Sequence, residues 1–388
     1  MAYQIEVCNQ LEPFFDEPRI WDSLSGGIAF RESAWLHPWW QHLGNGYQAY
    51  LVVAKKPSGQ ICGLLPLYRK TTAAGRTLCF LGDGNTCTDY VSILTRPDEA
   101  KHVGESIGRF LAENSSGGSN AWDLIDIDGI VEGDVGMTAL ATGLNHGGAT
   151  IHTVSRMRTW FKPADASWDE HLKHYGKTHR RKMRRMREKL APEGPIERLF
   201  AKTESEVDEY LSALIEMHQR RWNSDGQPGS FADPNFCSFI RDAAKRFLQN
   251  DRLYLNLLRY EGRNISAELN FVGENRVLYS YSSGYDLDSA KLEPGRLCTI
   301  DVLLELYRSN LAGIDFMRGD EAYKTRLASS SRRVLRMRVA PPAFVPRLRH
   351  AAWCTGFEVK QWVRKRTGRT PLETVDLTFP GTAASNPA

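Results

Sequence analysis

Short apolar runs divided by turn residues set the pattern of the chain from residue 49 onward. A-Y-L-V-V-A gives way to Pro-Ser-Gly, then come I-C-G-L-L-P-L-Y, R-T-L-C-F-L, Gly-Asp-Gly-Asn and D-Y-V-S-I-L, ending at Leu94. Runs of this length, bounded by Gly, Pro, Asn and Asp, predict the strands of a small antiparallel sheet. Helical spacing follows at about 97–113 and again at about 133–144, with a Ser-Gly-rich loop and the strand W-D-L-I-D-I-D between them. From about residue 160 a similar order returns: helices to about 248, then L-Y-L-N-L-L-R-Y, I-S-A-E-L-N-F-V and V-L-Y-S-Y-S-S, a helix, I-D-F-M and a helix. The pattern predicts an α/β protein of two like halves, at residues 1–158 and 159–345. A basic, Trp-containing helix and a Pro-Gly-Ala-Ser tail, expected to be disordered, fill 346–388. No period of 20 to 50 residues is present, which excludes a solenoid.

With 388 residues, 41% of them apolar, the chain can bury a sizeable core. No window reaches 18 uninterrupted apolar residues, and the first residues lack the basic start and apolar centre of a secretory signal. The expected address is therefore the cytoplasm. Seven cysteines, none spaced as C-x-x-C, argue against a disulfide framework or a zinc knuckle. His171 and His174, with His179 nearby, suggest a metal, but no carboxylate or thiol completes a set with them, and no metal is expected.

Charge adds a second layer. Residues 177–189, K-T-H-R-R-K-M-R-R-M-R-E-K, carry eight Lys or Arg against one Glu, a local +7 in a chain of net charge +4. Residues 347–369 carry seven Lys or Arg against Glu358. Such segregation points to an anionic partner, an anionic membrane surface or RNA, and adds a peripheral position at the inner membrane face to the cytoplasmic address. In the first cluster Met183, Met186 and Leu190 share one helix edge, which predicts that the helix packs by that edge and shows its arginines, Arg181 and Arg184 among them, to the outside.

Two stretches carry candidate chemistry. In L-E-P-G-R-L-C-T-I-D-V-L-L-E-L-Y, Pro294 and Gly295 stand where a helix should begin, and Leu297, Ile300, Leu303, Leu304 and Tyr307 follow at helical spacing. Free N–H groups at such a start, beside Gly295 and Arg296, suit an anion such as a pyrophosphate. In G-I-D-F-M-R-G-D-E-A-Y-K-T-R-L, a strand runs into Gly319 and then a helix carrying Tyr323, Lys324 and Arg326 behind Asp320 and Glu321. Acids favour such a helix start for dipole reasons alone. His218 and Trp222 lie one helical turn apart, which fits a histidine packed on an indole as well as a ligand contact. The absence of G-x-S-x-G, a Walker loop and H-E-x-x-H sets aside the common hydrolase, NTPase and zincin readings.

Taken in order, W-L-H-P-W-W-Q-H-L-G, G-L-L-P-L, F-L-G with T-D-Y, the basic run, M-H-Q-R-R-W, L-N-F-V, Y-S-S-G-Y-D, L-E-P-G and R-G-D-E-A-Y-K span about 300 residues. Their sequence resembles the FemAB-like and CelD (BcsL)-type GNAT acetyltransferases. The resemblance implies two tandem GNAT-like domains, with mixed central sheets flanked by helices. It implies acyl transfer from acetyl-CoA or another acyl-CoA to an amine or hydroxyl of a small-molecule or glycan-precursor acceptor of the cell envelope or an exopolysaccharide. It places donor contacts at Tyr281, Ser282, Gly284, Pro294, Gly295 and Arg296, and catalysis at Asp320, Glu321 and Tyr323. Acceptor contacts fall at Asp89, Tyr90, Arg181, Arg184, His218, Trp222, Asn270, Tyr285, Lys324 and Arg326. The family's Q-x-x-G-x-G phosphate loop is missing here, and the peptidoglycan-building relatives use aminoacyl-tRNA with a coiled-coil arm for which this chain has no room. An aminoacyl-tRNA-dependent peptidyltransferase, or a GNAT-like module that only binds RNA or membrane, stand as the alternatives.

Overall fold

The structure, a computed structural model, describes residues 3–378; the end of the tail, 379–388, lies outside the described residues. Two compact units form, one from residues 3–40, 44–158 and 332–378, the other from 41–43 and 159–331.

The first unit begins with β1 (Gln4–Cys8), the short helices α1 (Glu12–Asp16) and α2 (Arg19–Leu24), and α3 (Ser33–Leu43), whose last residues leave the unit. Strands β2 (Gln48–Lys55), β3 (Ile61–Thr72) and β4 (Gly75–Phe80) form the antiparallel meander that the turn residues predict. D-Y-V-S-I-L is not the strand expected: only β5 (Leu94–Thr95) pairs, with Gly63 and Leu64 of β3. Tyr90 sits at φ 65°, a left-handed conformation that ends extended pairing there. After α4 (Ala100–Glu113), β6 (Leu124–Val131) joins β4 in parallel, and α5 (Val135–His146) leads into β7 (Thr150–Pro163). Gly108 and Gly143 let α4 and α5 touch backbone to backbone; a Cβ on Gly143 would lie 2.2 Å from the Glu105 carbonyl oxygen.

The second unit takes over within β7 at Thr159. It comprises α6 (Trp168–Lys173), α7 (Lys177–Lys189), β8 (Ile196–Phe200), α8 (Glu204–Ser224), α9 (Pro234–Gln249), β9 (Leu253–Tyr260), β10 (Arg263–Val272), β11 (Val277–Tyr285), α10 (Pro294–Arg308), β12 (Gly313–Arg318) and α11 (Ala322–Leu327). A capping box, Thr203 with Glu206, starts α8, and Pro294 starts α10 at its first turn as its position predicts. The strand order is β12-β11-β10-β9-β8, with 159–163 of β7 beside β12. All neighbours are antiparallel except β11 and β12, which α10 joins by a crossover. The core gathers Leu258 and Ile265 from the sheet with Leu297 and Leu303 from α10, and Met183, Met186 and Leu190 pin α7 to it by its apolar edge.

The chain then returns to the first unit through β13 (Ser330–Ala340), which pairs antiparallel with β6 from Val334 to Val339. The boundary expected at 345 therefore falls near 331: the ladder bonds and ion pairs of β13 go to β6, where Arg336 and Arg338 meet Asp126. Helix α12 (Phe344–Arg366) and β14 (Glu373–Thr374), paired with β7, complete this unit, so the basic helix packs against it instead of standing apart.

Candidate active site

Two features of β11 open a cleft in the second unit. Its parallel pairing with β12 covers only Val277–Tyr279 against Gly313–Asp315, while its pairing with β10 continues to Tyr285. Beyond Tyr279 the two strands part. On the β12 side the departure is fixed by Met317 at φ 58°, whose N–H donates to Asp315 Oδ1 at 2.7 Å while Thr159 Oγ1 donates to the same oxygen at 2.6 Å. On the β10 side, a bulge leaves Tyr281 as an extra residue, its N–H donating to Asn270 Oδ1 at 3.1 Å. The extra residue reverses the alternation, so that Ser280 before it and Ser283 and Tyr285 after it all line the cleft.

The cleft holds about 420 Å³. Its chemical centre is Glu268 of β10, only 6% exposed. Ser280 Oγ donates to Glu268 Oε1 at 3.3 Å, and Oε2 is buried without a hydrogen-bond partner. Burial pushes its pKa from 4.5 up to about 7, and the carboxylate of Asp301 adds to the shift against the neighbouring Asn270 and Ser280. Asp301 on α10 is itself fully buried, accepting from Arg198 Nε at 2.6 Å, Tyr254 OH at 3.0 Å and Asn256 Nδ2 at 2.8 Å. Asn256 is the cross-strand partner of Glu268, so this network lies directly beside the acid.

Cations share the cleft with the acid. Lys182 of α7, Arg221 of α8, Arg296 of α10 and Arg326 of α11 line the cleft. Arg221 lies 5.2 Å from the Tyr285 ring centre. Glu293 precedes α10 at φ 56° and its carboxylate joins Lys182, at 2.6 Å, to Arg296. Gly295 faces open space: a Cβ there would meet only the Tyr285 ring, at 3.9 Å. His179 also lines the cleft, and burial together with Arg296 and Arg326 holds its pKa below the usual histidine range.

Tyr323 projects into the same cleft from α11. Although it is 43% exposed, protein crowding around the phenol, the charge of Glu268 and then that of Glu321 push its pKa above the ordinary tyrosine value, with Arg221 opposing. The phenol therefore stays protonated at neutral pH.

Of the residues expected from sequence, Gly295, Arg296, Tyr285, Tyr323 and Arg326 share the cleft, and Pro294 begins the helix at its wall. Others are placed elsewhere. Asp320 and Glu321 do not line it; Glu321 Oε2 instead meets Lys324 Nζ at 3.0 Å. Lys324 is 4% exposed and donates to the carbonyls of Met317 and Arg318, bracing the kink at the end of β12, so it has no free face for an acceptor. Gly319, at φ 133° and bonded through its carbonyl to Trp160 Nε1, makes the turn in front of it. Gly284 faces α8, where a Cβ would lie 2.6 Å from the Leu214 carbonyl oxygen, and Tyr281 packs on Phe271. Ser282 does not line the cleft, and Asn270 is fully buried at the bulge. His218 is buried against Phe231 and Trp222, and burial lowers its pKa to about 4, the behaviour of a structural histidine. Arg181 and Arg184 point outward on α7, with no carboxylate in ion-pair distance among the described residues. Asp89 and Tyr90 belong to the first unit, where Arg332 Nη2 donates to Tyr90 OH at 3.3 Å.

Glu268 is the residue the sequence reading passed over. Its signal was the alternation in I-S-A-E-L-N-F-V, where Ser266, Glu268 and Asn270 fall on one face of an otherwise apolar strand. All three are buried. A buried polar face in a central strand calls for an explanation that an exposed one does not.

The first unit has a larger cavity, about 650 Å³, between α12, β7 and β13. Its lining contains no carboxylate, hydroxyl or thiol: Arg156, Arg336, Arg338, Lys360 and Arg364 surround Trp353 and Phe357. It lacks the acid–base pair of the smaller cleft.

Comparison with known proteins bears on the fold. Residues 177–325 match the family model Acetyltransf_6, an acetyltransferase (GNAT) domain. The crystal structure of FemX superimposes with a TM-score of 0.61 at 12% identity, over 90% of this chain and 99% of that one. A conserved protein from Bacteroides thetaiotaomicron gives 0.47 at 11% identity, over 87% and 100% of the two chains. L-PGS from Bacillus licheniformis gives 0.46 at 10% identity, over 79% and 90%. No curated protein sequence matches significantly. The mixed α/β fold with GNAT-like units is the one expected from the sequence.

Proposed function

We propose, from the match of residues 177–325 to an acetyltransferase (GNAT) domain, that the chain transfers an acyl group from an acyl-CoA thioester to an amine or hydroxyl. Acetyl-CoA is the preferred donor, and a cell-envelope or exopolysaccharide precursor the preferred acceptor class. The observation that carries the reading is Glu268: a carboxyl with one unpartnered oxygen and a pKa of about 7, set in a cleft rimmed by four cations.

The chemistry follows from that placement. With its pKa raised to about 7, Glu268 can take a proton near neutral pH, where an ordinary glutamate would be too weak a base. The acceptor nitrogen gives its proton to the Glu268 carboxylate and forms a bond to the acyl carbon; the C–S bond breaks and the electron pair leaves on sulfur. Tyr323 remains a phenol and offers a hydrogen bond to that sulfur. Its raised pKa makes outright transfer from the phenol to a thiolate of pKa ~8.5 unfavourable. The proton collected by Glu268 is thus the one the thiolate finally takes. Lys182, Arg221, Arg296 and Arg326 supply positive charge for the phosphates of the donor, and Gly295 leaves the backbone approachable at the start of α10. Most of the acceleration comes from holding donor and acceptor in line.

A second reading, transfer from aminoacyl-tRNA, is favoured by one observation: the exposed arginines of α7, without an ion pair among the described residues, continue outward from Lys182, a surface suited to a long polyanion. Incubating the full chain with labelled acetyl-CoA, or with charged tRNA, and a panel of amino sugars and amino acids tests both. Transfer from acetyl-CoA that is lost in Glu268→Gln is expected. Transfer from tRNA alone would replace the donor, and undiminished transfer in Glu268→Gln would remove Glu268 from the mechanism.

A further inference from the structure

Helix α12 carries apolar residues on two opposite sides, one packed on its unit and the other exposed. Pro346, His350, Trp353 and Phe357 face inward: Pro346 and His350 are buried, and the rings of Trp353 and Phe357 pack on His152 of β7. On the opposite side Phe344, Leu348, Val359 and Trp362 recur at helical spacing and are exposed, Phe344 by 80% and Leu348 by 61%. Ala351, Ala352 and Thr355 fill the same stripe between them, and Val345 and Val363 widen it at the two ends. From Phe344 to Trp362 the stripe runs for roughly 27 Å at 1.5 Å per residue. Nothing among the described residues covers it.

The charges around the stripe indicate what does. Arg347 and Lys365 flank it on one side and Arg349 on the other, the two arginines also donating to the carbonyls of Gly148 and Ala74, and Arg366, stacked over Trp362 at 3.9 Å, closes its end. Glu358 is the helix's one acid. An apolar band edged by cations, with an indole near one end, is the pattern of a helix lying in the plane of an anionic membrane surface. No described helix is long and apolar enough to cross a membrane, so α12 would lie on it, not through it. RNA fits less well: the two exposed rings of the band, Phe344 and Trp362, stand at opposite ends of the helix with aliphatic residues between them, where single-strand platforms present several neighbouring aromatic faces.

We propose that α12 docks the protein on an anionic lipid surface, with Phe344, Leu348, Val359 and Trp362 entering the interface and the flanking cations meeting lipid phosphates. This does not depend on the acyl-transfer reading, because α12 and the Glu268 cleft belong to different units.

Co-sedimentation of the full chain with vesicles of phosphatidylcholine, with and without phosphatidylglycerol, tests it, alongside Leu348→Glu/Trp362→Glu and Lys365→Gln/Arg366→Gln. The parent should bind the phosphatidylglycerol vesicles, weakly bind those without it, and release as salt rises. Leu348→Glu/Trp362→Glu should weaken binding by about tenfold or more with an unchanged melting temperature, since both positions are exposed. Lys365→Gln/Arg366→Gln should bind more weakly and with less salt dependence. Failure of the parent to bind, or binding unaltered in Leu348→Glu/Trp362→Glu, would overturn the proposal. So would a parent that binds RNA and not vesicles, or a dimer that Leu348→Glu dissolves.

Discussion

The side-chain oxygen of Asn270 accepts the backbone N–H of Tyr281 at 3.1 Å, and this one bond holds the bulge that turns Ser283 and Tyr285 into the same cleft as Ser280 and Glu268. Removing the acceptor leaves a half-buried N–H at the point where β11 changes face. Asn270→Leu should therefore cost about 1–3 kcal/mol, the penalty of an unsatisfied donor, read as a lower urea midpoint. It should also weaken donor binding, because the cleft wall is misaligned. A variant of parental stability would mean that the bulge is held by the strand pairing alone.

Glu268 should make stability depend on pH. Its folded pKa, about 7, lies above the unfolded value near 4.5, so the folded chain keeps a proton that the unfolded chain loses between those limits. The neutral carboxyl's contribution is full below pH 4.5 and is lost as pH rises to 7, a change on the order of 3 kcal/mol. Glu268→Gln cannot titrate. Its melting temperature relative to the parent should rise between pH 5 and pH 8, and a difference that stays flat would show that Glu268 titrates normally.

Tyr323→Phe should lower turnover by roughly 10- to 1000-fold with donor affinity nearly intact, as expected of a group acting at the departing sulfur. Asp320→Asn and Glu321→Gln, outside the cleft, should turn over near the parental rate. Steady-state kinetics on the three variants checks this; a large loss in either acid variant with Tyr323→Phe unaffected would reverse the assignment.

Glycines 284 and 295 should respond oppositely. Gly284→Ala drives a methyl to 2.6 Å from the Leu214 carbonyl oxygen and should lower stability by roughly 1–3 kcal/mol in urea unfolding. Gly295→Ala meets only the Tyr285 ring at 3.9 Å and should leave the midpoint unchanged.

What could be read from the chain divides along a physical line. Local signals were legible: Pro294 at the first turn of α10, the Met183–Met186–Leu190 edge of α7, and Gly319 at the turn after β12 each act through neighbours in sequence. What depends on long-range pairing was not. The reach of β13 back to β6 set a domain boundary no composition change marks, and Lys324 reads as a surface cation until the carbonyls of the β12 kink are seen to take its ammonium group. Glu268 became a candidate base only through burial beside Asp301, 33 positions later in the chain.

The central claim is that the acyl donor binds in the Glu268 cleft of the second unit, against the start of α10. Calorimetric titration of acetyl-CoA into the parent and into Gly295→Asp tests it most directly, because the added carboxylate enters open space and leaves the fold undisturbed. The account predicts binding to the parent and a loss of at least about tenfold in affinity for Gly295→Asp at an unchanged melting temperature. Equal affinity in the two proteins would place the donor elsewhere, and no heat of binding to the parent would contradict acyl-CoA as the donor.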